Sequence, residues 1–173
     1  AASMTSQANR SYFLDSVRYW TGDDTKIVVD NDRKNEKEYE DEQKAIDDIE
    51  KELSVDIPRF LYRPEGLKFK DYNISKDFEY ALLQYDYNDT IMTLYINKYD
   101  KETKSTGASL DGKEIETIKL PEEEISIQVK KIMAKGDKKA SYVAYWNNST
   151  EFYQIEAQME EEEFVKLIKN IKF

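Results

Sequence analysis

Tyr80-Ala81-Leu82-Leu83-Gln84-Tyr85-Asp86-Tyr87-Asn88-Asp89-Thr90-Ile91-Met92-Thr93-Leu94-Tyr95-Ile96-Asn97-Lys98 is the stretch on which the fold turns. Two runs rich in aromatic and β-branched residues flank Asn88-Asp89, a short polar break that reads as a hairpin turn. In the second run Met92, Leu94 and Ile96 recur at every other position, with Ile91, Thr93, Tyr95 and Asn97 between them. Side chains alternate across a strand, so this strand has one apolar face that must lie on a core and one mixed face.

The same period continues on both sides. Upstream, Leu67, Phe69 and Asp71 alternate with Lys68, Lys70 and Tyr72. Downstream, a polar interval over 100–112 reads as a long loop, and Asp111-Gly112 turns the chain into a strand around Ile115 to Ile118. Three further strands are expected over 125–133, 141–147 and 151–157. Their separators are too short for the crossover that parallel strands need, which makes them antiparallel neighbours.

Helical periodicity brackets these strands. Tyr39, Glu42, Ile46, Ile49 and Leu53 repeat at three and four, predicting a helix over 36–53 behind a solvated charged connection over 30–38. Phe13, Val17 and Trp20 have the same spacing within 8–20, and Ile27-Val28-Val29 suits a short strand. Pro58 and Pro64 make 54–66 an extended connector. At the far end Glu160 to Glu163 precede Phe164, Leu167, Ile168 and Ile171, while Lys166, Lys169 and Lys172 follow. Acidic groups at the first turn and basic ones at the last complement a helix dipole over 161–171. The expected fold class is α+β, an antiparallel sheet of about six strands with helices packed on one face. Its core should be Ile46, Ile49, Leu53, Leu94, Ile96, Ile127, Val129, Phe164, Leu167 and Ile168.

Composition narrows the chemistry. The 173 residues suffice for one domain, and 36 acidic against 26 basic side chains give a net charge of -10, which opposes nucleic acid and anionic bilayers. No run of apolar residues is long enough for a membrane span. A start at Ala1 rather than Met suits a chain trimmed of an export signal or anchor. With neither histidine nor cysteine, the usual neutral-pH base, thiolate nucleophiles and the commonest zinc ligands are missing. The carboxylate runs Asp23-Asp24, Asp30-Asn31-Asp32, Glu160 to Glu163 and Asp111-Gly112-Lys113-Glu114 lack the spacing of a calcium loop and read as solvated charge. No glycine-rich phosphate or dinucleotide loop occurs, so no catalytic residue, metal or cofactor is expected. The 13 tyrosines are the more informative class, because a phenol combines apolar area with a polar tip. If a ligand exists, its contacts are expected on an open sheet face at Tyr87, Tyr95, Tyr145 and Trp146. Tyr145 and Trp146 are adjacent, so at most one of them belongs to that face.

The acidic helix ending Ile49-Glu50-Lys51-Glu52-Leu53, the connector from Ile57 through Arg63-Pro64-Glu65-Gly66 to Phe69, the hairpin element Tyr85-Asp86-Tyr87-Asn88 and the stretch 153–173 carry a family resemblance. Residues 36–173 resemble the domain of unknown function 4367 family of Gram-positive bacteria. That resemblance implies the outward, C-terminal part of a membrane-anchored protein, in some members with an anti-sigma-factor-like portion inside the cell, in others a lipoprotein. The family supplies no catalytic set. It usually has a glycine at the last strand-to-helix connection, where this chain has Ala157. Residues 1–30 are then an N-terminal helix and membrane-proximal stalk, and 31–173 a single domain. The function expected is a noncatalytic extracytoplasmic sensory or protein-interaction module, tethered to the membrane through an N-terminal anchor. The alternatives are a lipid- or glycan-binding domain using the open sheet face and, remotely, a carboxylate-dependent hydrolase. Partners are accordingly another extracytoplasmic protein, a lipid or a cell-wall glycan.

Overall fold

The computed structural model describes residues 31–98 and 112–173, with side chains from Lys37 onward. The sequence expectations for 1–30, and for all of the 100–112 interval except Gly112, lie outside the described residues. In chain order the elements are α1 (Asn31–Leu53), β1 (Arg59–Phe60), β2 (Leu67–Ser75), β3 (Tyr80–Tyr87), β4 (Thr90–Lys98), β5 (Lys113–Leu120), a 3₁₀ turn (Pro121–Glu123), β6 (Ile125–Ile132), β7 (Ser141–Asn147), β8 (Glu151–Ala157), α2 (Glu161–Lys169) and β9 (Ile171–Lys172). This is an α+β fold with a seven-stranded antiparallel sheet, ordered β2-β3-β4-β8-β7-β6-β5, and two helices packed against it.

Helix α1 spans Asn31–Leu53, so residues 31–38 of the charged stretch expected as a connection are helical. Its Arg, Lys and Glu residues are good helix formers and extend the helix beyond its apolar stripe. Glu42, Ala45, Ile46, Ile49 and Leu53 face the core, whereas Tyr39, expected in that stripe, is 68% exposed. The helix stops at Ser54, whose positive φ of 52° turns the chain while its N–H still bonds to the Glu50 carbonyl. The connector then buries Val55 and Ile57 and pairs as β1 with β9: Arg59 opposes Lys172 and Phe60 opposes Ile171. Helix α2 therefore ends at Lys169, and the chain beyond Asn170 is extended.

The expected hairpin forms with Tyr87 opposite Thr90, and Asn88 takes the positive φ of 51° that so tight a turn requires. One continuous apolar row runs across the helix-covered face: Leu83, Leu94, Ile155, Ala144 and Val129 are successive cross-strand partners. Phe164, Leu167 and Ile168 of α2 and Ile46, Ile49 and Leu53 of α1 close over this face. Every residue expected in the core is buried there. No described helix is long and apolar enough to cross a membrane.

Candidate functional site

On the other side of the sheet, register brings two of the four expected ligand residues together. Leu82 opposes Tyr95, Tyr95 opposes Gln154, Gln154 opposes Tyr145, and Tyr145 opposes Gln128. The two tyrosines thus flank Gln154 two strand spacings apart, roughly 9.6 Å at ordinary sheet geometry. Asn97 Nδ2 donates to the Tyr95 hydroxyl at 2.7 Å, and the Tyr145 hydroxyl donates to Gln128 Oε1. Lys130 Nζ lies 5.6 Å from the Tyr145 ring centroid, and the Tyr80 ring is tilted against Tyr95 at 5.8 Å. Burial raises the Tyr95 phenol above its ordinary pKa, with the Asn97 bond acting in the opposite direction.

A second row, Gln84, Thr93, Glu156, Val143 and Lys130, runs parallel to the first. The centre of this face is not the open platform expected from sequence. Gln84 is 1% exposed, Leu82 2%, Thr93 3% and Val143 0%, and β8 is buried along its whole length. Inner-strand side chains have neighbours on both sides less than 5 Å away, which screens the small ones between tyrosines. Within this row Gln84 Nε2 makes no hydrogen bond among the described residues.

The remaining two expected ligand residues lie on the helix-covered side. Trp146, 3% exposed, stacks on Tyr153 with centroids 5.0 Å apart and planes within 5°, and Phe173 meets both rings edge-on. Its register opposite Tyr153 places it in the core, and its indole N–H has no hydrogen-bond partner among the described residues. Tyr87 packs on the rim of the core, where desolvation and the carboxylates of Glu163 and Glu160 raise its phenol.

Other polar side chains fasten elements together. Glu42, buried on α1, receives two bonds from Arg63 Nη2 at 2.6 and 2.7 Å and one from the Tyr85 hydroxyl at 2.8 Å. The Tyr85 phenol is held well above its usual range by burial and then by Glu42. The Tyr62 hydroxyl donates to Glu163, and Lys166 sits 4.1 Å from the Tyr62 ring centroid, so the connector is also fastened to α2. Among the described residues no group of three or more acidic side chains is placed to hold a metal ion. In the Glu160 to Glu163 run, Glu161 accepts from Tyr142 and pairs with Lys131 at 3.9 Å.

A surface cleft that sequence reasoning did not single out runs between α2 and β5. It encloses about 570 Å³ and is lined by Glu116, Glu161, Glu162, Val165, Lys166, Lys169 and Asn170. Lys169 and Glu116 bridge it at 3.0 Å. Residues 161, 165 and 169 are spaced by four, so the outward stripe of α2 was readable; that β5 would be its neighbour was not.

These features define a helix-backed antiparallel α+β domain, its polar clusters largely engaged in holding elements together and its open cleft on one flank. The chain belongs to the family described as Domain of unknown function (DUF4367), whose model matches residues 57–171, from the connector to the first residue of β9. No curated protein and no solved structure matches it.

Proposed function

We propose that this domain is a noncatalytic sensory or protein-interaction module, displayed outside the cytoplasm by a membrane-anchored protein. The observation that carries the reading is the cleft between α2 and β5, an accessible groove of mixed charge on a scaffold whose core is closed. A groove beside an edge strand suits a macromolecular partner better than a small molecule, which would need an enclosed, largely apolar pocket. Family membership and a cysteine-free, acidic chain support the extracytoplasmic setting. The lipid reading is disfavoured by Gln84, Thr93, Gln154 and Glu156 at the centre of the second face, since buried polar groups oppose an acyl chain there.

Location tests the reading directly. Protease added to intact cells that carry the native full-length protein should digest this domain while a cytoplasmic marker survives, and fractionation should place the protein with membranes. Protection from protease together with recovery in the cytosol would overturn the extracytoplasmic module.

A further inference from the structure

We propose that the turn between β6 and β7, residues 133–140, is a contact surface for an anionic lipid bilayer, its lysines meeting phosphate headgroups while Met133 enters the interface. This goes beyond the interaction-module reading and does not depend on the cleft.

Charge in this chain is segregated. Lys130-Lys131-Ile132-Met133-Ala134-Lys135-Gly136-Asp137-Lys138-Lys139 holds five lysines and one aspartate, a charge of +4 in a chain whose total is -10, so the remainder carries -14. The hairpin is the basic pole of an acidic protein, and the net charge alone does not describe what its tip attracts.

The fold keeps the charge at the tip accessible. Ile132, opposite Ser141, ends the ladder, and Asp137 closes the neck of the turn beyond it. The Asp137 N–H donates to the Ala134 carbonyl at 3.0 Å, and the Ala134 N–H donates to Asp137 Oδ2 at 3.1 Å. The one carboxylate of the hairpin is thus turned back onto its own backbone. Gln158 Nε2 braces the far side, donating to the Lys139 carbonyl at 2.8 Å. Gly136 has a φ of 93°, and a Cβ there would meet nothing within 4 Å, so the tip stands in open space. At the base Lys130 lies over the Tyr145 ring, and Lys131 lies over Tyr142 and 3.9 Å from Glu161. Lys135, Lys138 and Lys139 are exposed instead and form no ion pair among the described residues. Met133, next to the buried Ile132, is itself 58% exposed.

Range decides whether tip or body wins. Salt screens charges beyond about 8 Å at physiological ionic strength. Strands β7 and β6 lie four and five places from β2, roughly 19–24 Å at ordinary strand spacing, and the acidic helix α1 packs against β2. Of the nearer acids at the start of α2, Glu161 is beside Lys131 and Glu163 accepts from Tyr62. At a surface touched by the turn, its ammonium groups act within one screening length while the carboxylates of α1 do not. Each lysine so placed strengthens partitioning about fivefold, and three together about a hundredfold. Met133 selects a bilayer over a soluble polyanion, because an unbranched apolar side chain among lysines gains by entering the boundary between headgroups and acyl chains and gains nothing from phosphate alone.

The test is cosedimentation of the 173-residue chain with vesicles of equal parts phosphatidylglycerol and phosphatidylcholine, against pure phosphatidylcholine, at low and at physiological salt. Binding to the anionic vesicles alone at millimolar lipid, weakening as salt rises, is expected. Lys135→Gln, Lys138→Gln and Lys139→Gln combined should weaken it about a hundredfold, to background. Lys51→Gln, Lys68→Gln and Lys119→Gln combined make the same change in net charge at exposed lysines elsewhere and should stay within about twofold of the parent. Met133→Ser should weaken binding about threefold or more. Each variant is compared at a circular dichroism spectrum matching the parent's. The proposal is overturned by no pelleting with anionic vesicles, by equal binding to neutral ones, by undiminished binding of the first triple variant, or by equal loss in both triple variants. Loss in the first triple variant with full binding by Met133→Ser overturns the bilayer in favour of a soluble anion.

Discussion

Removing the Arg63 guanidinium tests how α1 is fixed to the rest of the domain. Glu42 has only 6% of its side chain exposed, while Arg63 keeps 35%. Two unit charges about 4 Å apart interact by about 4 kcal/mol at an effective dielectric of 20. Solvent around the exposed part of Arg63 screens some of that attraction, and desolvation of the pair offsets more. The larger consequence of Arg63→Leu is the carboxylate left behind, buried and, among the described residues, bonded to the Tyr85 hydroxyl alone. We expect Arg63→Leu to cost about 2–3 kcal/mol, read by urea unfolding at pH 7 as a lower midpoint with an unchanged slope. The triple variant Glu42→Leu, Arg63→Leu, Tyr85→Phe removes every member of the network, and the rings of Phe60 and Phe69 pack edge-on against position 85. It should recover to within about 1 kcal/mol of the parent. A single variant costing under about 0.5 kcal/mol, or a triple variant far less stable than the single, would refute the view that an orphaned buried carboxylate is what destabilises the domain.

Leu94→Ala and Leu167→Ala remove fully buried side chains from the sheet and from α2, and each should cost about 2–5 kcal/mol in denaturant unfolding. Trp146→Phe deletes a buried N–H that has no partner among the described residues while keeping a ring on Tyr153, so it should cost about 2 kcal/mol less than Trp146→Ala, compared by thermal melting. Tyr85, Tyr95 and Tyr153 have folded pKa values raised chiefly by burial. The unfolded chain releases those phenol protons near pH 10 and the folded chain does not, so this stability is present below pH 10 and lost as pH rises above it. Tyrosinate absorbance from these rings should appear together with the loss of circular dichroism; simple titration at pH 10 with the fold intact would contradict their burial.

The sheet was legible because alternation survives in nearly every strand: Met92, Leu94 and Ile96 announce a face, and the core residues follow from it. The small sheet of β1 and β9 was not. Two-residue strands have no period, and Phe60 and Ile171 are neighbours only because the fold brings both ends of the family unit together. Adjacency requires Tyr145 and Trp146 to point to opposite sides; only their partners across the strands, Gln128 and Gln154 for the tyrosine and Tyr153 for the tryptophan, reveal which ring is inside. The burial of Gln84 and Thr93 was likewise illegible, since polar residues at alternate positions read as solvent-facing. The cleft escaped notice because its two walls lie far apart in the chain.

The order β2-β3-β4-β8-β7-β6-β5 also has a kinetic meaning. Strands β2 to β4 form one meander and β5 to β8 another, and within each the pairing partners are sequence neighbours. Helix α1 contacts the first array and α2 the second. Within the large sheet only the seam from Thr93 opposite Glu156 to Lys98 opposite Glu151 stitches the arrays together. Closing a short hairpin takes microseconds, whereas a non-local seam waits for distant segments to meet, with the loop entropy lost before any contact is gained. The barrier to folding should therefore lie at β4 and β8, and mutations along that seam should slow refolding more than equally destabilising ones at the outer strands β2 and β5.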